Sequence, residues 1–174
     1  AGKIAVPVHT AHTVTEMEYL LEDTGSGLLI YDDTLKDKAE ACTTSKSVCI
    51  SLSALLNVPD KDTSLPDIAL EDDCMMIYTS GTTSKPKGVV MTHDQLDKQM
   101  QSLSTAWEWN ANERILNVLP MHHVHGVINI TCCALYNGAT LEMQSSFDPS
   151  FVFSRMASGE LTLFMAVPTI YHKL

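Results

Sequence analysis

Two short stretches hold most of the side chains that could do chemistry. Residues 78–93 read YTSGTTSKPKGVVMTH. Thr79, Ser80, Thr82, Thr83 and Ser84 are hydroxyl donors that bring no charge. Gly81 lets the backbone come close to a ligand. Lys85 and Lys87 add cationic donors on either side of Pro86, which stiffens the arm. Backbone N–H groups, hydroxyls and ammonium groups together suit a polyphosphate. The loop is not of the G-x-x-x-x-G-K-[ST] type, because Gly88 is followed by Val89. On composition alone a flexible, hydroxyl-rich hairpin loop explains the same residues as well. Residues 119–126 read LPMHHVHG, with His122, His123 and His125 inside four positions. A metal site is one reading, since histidine is a common zinc ligand. It is weakened because Cys132 and Cys133 lie in an apolar stretch of core type, and no finger-like spacing follows. No metal ligand is assigned.

Both stretches need elements to position them. A strand is expected at 4–8, followed by the capping box Thr13-Val14-Thr15-Glu16 and a helix that Gly25 stops. Strand 27–31 comes next, then a short helix capped by Asp33 or Thr34 and running to about residue 42, then strand 47–52. Residues 57–73 hold two prolines and six acids and read as an acidic surface connection. Strand 74–79 then delivers the chain to the hydroxyl-rich loop, and strand 88–91 leaves it. Thr92-His93-Asp94-Gln95 is a second capping box, for a helix to about Trp107. Strand 114–119 stops at Pro120, the histidine turn opens a helix over 124–136, and Asn137-Gly138 leads to strand 139–143. Asp148-Pro149 starts a helix that ends at Gly159, and strand 161–167 ends at Pro168. Strands alternate with helices, and several strands are apolar throughout. That pattern predicts an α/β fold, a mostly parallel sheet with helices on both faces. Ligands bind such sheets at the carboxyl ends of strands, where both stretches lie.

Composition limits the function classes. The 174 residues are 45% hydrophobic and 18% charged, a globular balance. No apolar run is long enough for a membrane span. Net charge is −10, with 14 acids and 5 bases in residues 1–73 and 7 acids and 6 bases in 74–174. Nucleic acid is a poor partner for such a chain, since phosphate neutralisation needs clustered Lys and Arg. Residues 79–93 are a local exception, with two lysines and no acid before Asp94. Five cysteines without a C-x-x-C do not form a secreted disulfide framework. Both ends of the chain, AGKIAVPVHT and VPTIYHKL, read as the middle of something longer, so residues 1–174 are expected to be a partial domain.

The full string around the lysine loop resembles the phosphate-binding signature of the acyl-adenylate-forming, or AMP-binding, superfamily, roughly [YF]-T-S-G-[ST]-T-G-x-P-K-G-V. Ser84 stands where that family usually has glycine. LPMHHVHG is similar to the second signature of the superfamily, L-P-x-[FH]-H-x-x-G. With HTAHTVTEMEYLLEDTGSGLLIYDD, NGAT and FMAVPTIY, the chain looks like the malonyl-CoA/methylmalonyl-CoA synthetase branch, over part of its large amino-terminal domain. The resemblance implies a reaction in two steps. A carboxylate attacks the ATP α-phosphate to give an acyl-adenylate and pyrophosphate, and CoA then displaces AMP. It implies nucleotide contacts from Thr79, Ser80, Gly81, Thr82, Thr83, Lys85 and Lys87, with Lys87 also acting in catalysis. It implies that His123 orients the carboxylate and that His125 is a further candidate for the acid. The implied ligands are ATP, Mg2+, CoA and a short dicarboxylic acid, with a fatty or aryl acid as the alternative. A non-catalytic nucleotide-binding fragment is a third reading. The implied compartment is mitochondrial or cytoplasmic. The rest of the chain is an expected partner, because the family's magnesium-binding Glu and distal Lys would lie beyond Leu174.

Overall fold

The computed structural model describes residues 2–42, 47–59, 64–79 and 85–174. The described residues fall into two compact units: Val8–Pro66, and Gly2–Pro7 with Asp67–Leu174.

The first unit opens with α1 (Val14–Thr24). Its capping box forms as the sequence predicts: Thr13 Oγ1 accepts from Glu16 N–H, and Glu16 reaches back to Thr13 N–H at 2.7 Å. Gly25 ends it at φ 62°, in the left-handed region where a side chain would be strained. β1 (Leu28–Tyr31) pairs in parallel with β2 (Val48–Ser51). Between them Asp32, rather than Asp33 or Thr34, caps a single 3-10 turn at Asp33–Leu35, and α2 (Lys36–Ala41) follows. The shorter Asx turn wins because the Asp32 carboxylate already accepts the N–H and the hydroxyl of Thr34, at 3.0 and 2.6 Å. Met17, Leu21 and Cys42 form the core, with Leu29 against it. Leu28 and Ile30 point the other way and are about half exposed, so within this unit helices cover one face of the pair. Strand 47–52 stops early. Ser51 caps α3 (Leu52–Leu56), an element without a sequence-level period.

The second unit carries the site. The expected strand 4–8 reduces to one parallel bridge, Ala5 to Met75. Ala5 exchanges backbone bonds with Cys74 and Met76 at 2.9 Å, and Pro7 has no N–H with which to extend the ladder. β3 (Asp73–Thr79) and β4 (Lys87–Thr92) form an antiparallel hairpin, the one departure from parallel pairing among the described strands. Thr92 and Gln95 build the second capping box, which starts α4 (His93–Ala106). β5 (Arg114–Asn117) is the centre of a parallel sheet between β6 (Thr140–Met143) and β7 (Leu163–Phe164). Alternate residues of β5 serve opposite faces. Ile115 packs with Ile130, Cys133 and Ala134 and with Met100 and Leu103 of α4. Leu116 packs with Val152 of α6 (Pro149–Ala157) on the other face. Both faces of this sheet are therefore covered, as the run of apolar residues predicts. Strand 161–167 is only two residues long, because the chain leaves the ladder at Met165 and enters α7 (Pro168–Tyr171).

The helix expected at 124–136 is of another kind. His125–Cys132 winds as a π-helix and only Cys133–Tyr136 (α5) is α-helical. The first turn of the π-helix is crowded at Gly126. The Gly126 carbonyl accepts the side-chain amide of Asn117 at 3.1 Å and the hydroxyl of Thr131 at 2.9 Å. Two side chains thus reach into the first turn of this helix, and such insertion accompanies a widened ladder.

All five cysteines are free thiols. Burial and neighbouring Cys132 push the Cys133 thiol up to about 11. Arg155 of α6 grips Glu142 of β6 through two bonds, at 2.7 and 3.0 Å, and Glu160 at 2.9 Å. Among the described residues no helix is long and apolar enough to cross a membrane.

Candidate functional site

The β3–β4 hairpin sets the mouth of the lysine loop. Thr79 and Lys87 are its last paired residues, and the Thr79 hydroxyl lies 3.5 Å from the Lys87 carbonyl oxygen. Both side chains are exposed, as is Lys85. The expected contacts Ser80, Gly81, Thr82 and Thr83, and Ser84 with them, lie outside the described residues. The stem is anchored from below. Ile77 of β3 packs with Val127 and Ile128 of the π-helix, and Met121 closes the cluster. The strand that delivers the lysine loop thus rests on the helix that follows the histidine turn.

The histidine turn leaves the carboxyl end of β5. Pro120 C=O accepts His123 N–H at 3.3 Å, and His123 C=O accepts Val127 N–H at 3.0 Å. Asn117, only 1% exposed, accepts Leu119 N–H at 2.8 Å and donates to Gly126 C=O and Thr131 Oγ1, both at 3.1 Å. His123 is exposed, and its ring lies 4.1 Å from that of the half-buried His122.

His125 goes elsewhere. It lines a cleft of about 590 Å³ with Trp107, Asn129, Phe164, Met165 and Tyr171 among its walls. The cleft opens where β7 ends, the edge at which parallel sheets take ligands. Tyr171 braces it: the hydroxyl donates to Phe164 C=O at 3.2 Å and the rings meet edge to face at 5.9 Å. Asn129 Oδ1 is buried there with no hydrogen-bond partner among the described residues. A buried acceptor of this kind is costly in a fold and calls for a reason. The structure therefore puts His125 in the cleft wall and His123 on the exposed turn beside it.

Sequence reasoning missed Asn117, Asn129, Trp107 and Tyr171. Only FMAVPTIY, which contains Met165 and Tyr171, carried a signal, and that signal came from resemblance. Among the described residues no group of three His, Cys, Asp or Glu could hold a metal ion.

The family model for AMP-binding enzymes matches residues 1–174. The chain belongs to the AMP-binding enzyme family. It is 39% identical over 187 residues to the mitochondrial malonate–CoA ligase ACSF3 of Xenopus laevis, with all of this chain and 32% of that protein aligned. It is 29% identical over 201 residues to a malonate–CoA ligase of Arabidopsis thaliana, again over all of this chain and 32% of the relative. The crystal structure of ATP-bound MatB from Rhodopseudomonas palustris superposes with a TM-score of 0.87 at 25% identity, covering 98% of this chain and 35% of that one. The chain spans about a third of the length of the curated relatives it matches. The α/β architecture with helices on a parallel sheet is thus that of adenylate-forming enzymes.

Proposed function

We propose that these residues form the ATP- and acid-binding part of an AMP-forming acyl-CoA synthetase that activates a short dicarboxylic acid, malonate or methylmalonate. The observation that carries this reading is the alignment of the whole chain with malonate–CoA ligases, at up to 39% identity. ATP use is further supported by the ATP-bound relative of the same fold.

In this reading the lysine loop holds the triphosphate. Thr79, Ser80, Gly81, Thr82 and Thr83 would give hydroxyl and backbone donors, and Lys85 and Lys87 positive charge. Attack by the carboxylate crowds anionic oxygens around the α-phosphorus, so fixed donors there lower the barrier. Lys87 has the better support, because it begins β4 and its position is set by pairing with Thr79. A related O-succinylbenzoate CoA synthetase is known in complex with ATP and a magnesium ion. Magnesium, when bound with the triphosphate, would offset phosphate charge.

His123 would hydrogen-bond the reacting carboxylate and keep it near the α-phosphate, and His125 would face the body of the acid from the cleft wall. Holding the acid in an attack geometry is the whole contribution asked of these groups. CoA would be the second acceptor. The relatives named mitochondrial support that compartment. A second reading, an aryl or fatty acid, draws support from the cleft. Its described lining is largely apolar and aromatic, with His125 and Asn129 among its few polar groups and no Lys or Arg. Acid-dependent ATP–pyrophosphate exchange on the complete polypeptide separates the two. Exchange with malonate or methylmalonate and not with octanoate or ferulate supports the dicarboxylate; the reverse pattern supports the second reading.

A further inference from the structure

We propose that Asn117 is a positioning residue for acid activation, a reading that rests on the acid-ligase function above. Its carboxamide ties the end of β5 to both ends of the histidine turn. The oxygen accepts Leu119 N–H at the start of the turn, and the nitrogen donates to Gly126 C=O at its finish. All three histidines lie between these two anchors.

Two features separate Asn117 from an ordinary buried amide. Its three short bonds all go to the turn and to the helix that follows, none to the flanking strands. Asn117 joins the β5–β6 ladder through its backbone alone, opposite Met143, which leaves the carboxamide to the turn. Second, its partner Gly126 C=O also accepts the Thr131 hydroxyl, and both bonds fall within the π-wound segment His125–Cys132. His125 and Asn129, the two polar side chains of that helix in the cleft wall, lie within the wound segment. Their aim into the cleft goes with the winding, and the Asn117 bond to Gly126 C=O would help to hold it.

The consequence is specific to one substrate. Among the described residues Asn117 makes no bond to Thr79 or Lys87, and the stem of the lysine loop meets this helix through the apolar packing of Ile77 on Val127 and Ile128, so loss of Asn117 should disturb the acid more than the nucleotide. Misplacement of a reacting group by about 1 Å can cost on the order of a hundredfold.

The test uses the complete polypeptide with Asn117→Leu, Asn117→Asp and Thr131→Val. Malonate-dependent ATP–pyrophosphate exchange gives kcat and both KM values, and amide hydrogen exchange reports on residues 119–131. For Asn117→Leu we expect a raised malonate KM, kcat lower by about ten- to a hundredfold, and ATP KM within about threefold. Amides of 119–131 should exchange at least about tenfold faster, while those of β1 and β2 stay unchanged. Asn117→Asp keeps the Leu119 contact and loses the donor to Gly126, so it should fall between the wild type and Leu. Thr131→Val should be milder still. A merely structural role would lower the rate in proportion to the folded fraction and leave both KM values alone, and that result overturns the proposal. So does a Leu variant that matches the wild type in exchange at 119–131 and in malonate kinetics. Absence of malonate-dependent exchange in the wild type overturns the acid-ligase reading and the proposal with it. It is told apart from failure at Asn117 alone, where the wild type turns over and the variant equals it.

Discussion

A Cβ on Gly126 would sit 2.4 Å from the carbonyl oxygen of Pro120. The obstacle is backbone, not the flexible end of a side chain, so the histidine turn is folded onto itself at a point where only glycine fits. The signature glycine of this turn therefore has a steric reason in the chain itself.

Gly126→Ala should open that contact. Overpacking of this kind costs about 1–3 kcal/mol, and the turn carries the candidate acid-binding histidines. Urea unfolding should show the loss, and acid-dependent exchange should fall further than stability does. A variant with the wild-type midpoint would mean that the turn can spread without cost.

Lys87→Ala should weaken the ATP-dependent step. A charge-assisted hydrogen bond is worth about 1.5–3 kcal/mol, which corresponds to roughly a ten- to hundredfold loss in kcat/KM. Lys85→Ala should do less, since Lys85 lies beyond the hairpin ladder that sets Lys87 against Thr79. Equal losses from the two, or none from Lys87, would show that the loop holds phosphate through its backbone.

Asn129→Leu tests the cleft from the other side. The Asn129 oxygen is buried with no hydrogen-bond partner among the described residues, so its removal should leave the melting temperature unchanged or raise it. Malonate-dependent exchange should nevertheless drop. A fall in melting temperature with unaltered kinetics would assign Asn129 to the fold.

The Arg155–Glu142 pair predicts an acid limit on stability. Hydrogen bonds from Arg155 hold the Glu142 carboxyl below its ordinary value of 4.5. A carboxyl with a lowered folded pKa binds fewer protons folded than unfolded, so its contribution is complete above the unfolded value and is lost as pH falls through the folded one. Glu142→Gln should therefore lower the urea midpoint at pH 7, and the gap from wild type should narrow below about pH 4.5. A gap that stays constant with pH would remove the ionised pair from the explanation.

Elements with local causes were readable in the residues. Thr13 with Glu16, Thr92 with Gln95, and Asp148 before Pro149 each cap the helix expected of them. The double-faced burial of β5 follows from its apolar run. What failed had distant causes. The π-wound segment is bonded at Gly126 by Asn117, nine residues earlier, a contact that no helical period shows. The strand expected at 4–8 contains Pro7, and only its Ala5 bridges β3. The cleft collects Trp107, His125, Asn129 and Tyr171 from separate elements, so no window of sequence contains it. The two signature stretches were legible as strings because each is contiguous in the sequence, and His123 and His125 stand as candidates within the second. The division of labour between them depends on where the helix begins.

That division is the centre of the proposed mechanism, and one comparison tests it most directly. Malonate-dependent ATP–pyrophosphate exchange is measured for the wild type and for His123→Ala in the complete polypeptide, with ATP affinity measured alongside. We expect the wild type to exchange only when malonate is present. His123→Ala should lose about tenfold or more of that rate while ATP affinity stays within about threefold, because lost orientation appears in the chemical step. An unchanged rate in His123→Ala, or an ATP affinity that collapses with the rate, would contradict the assignment of the histidine turn to the acid.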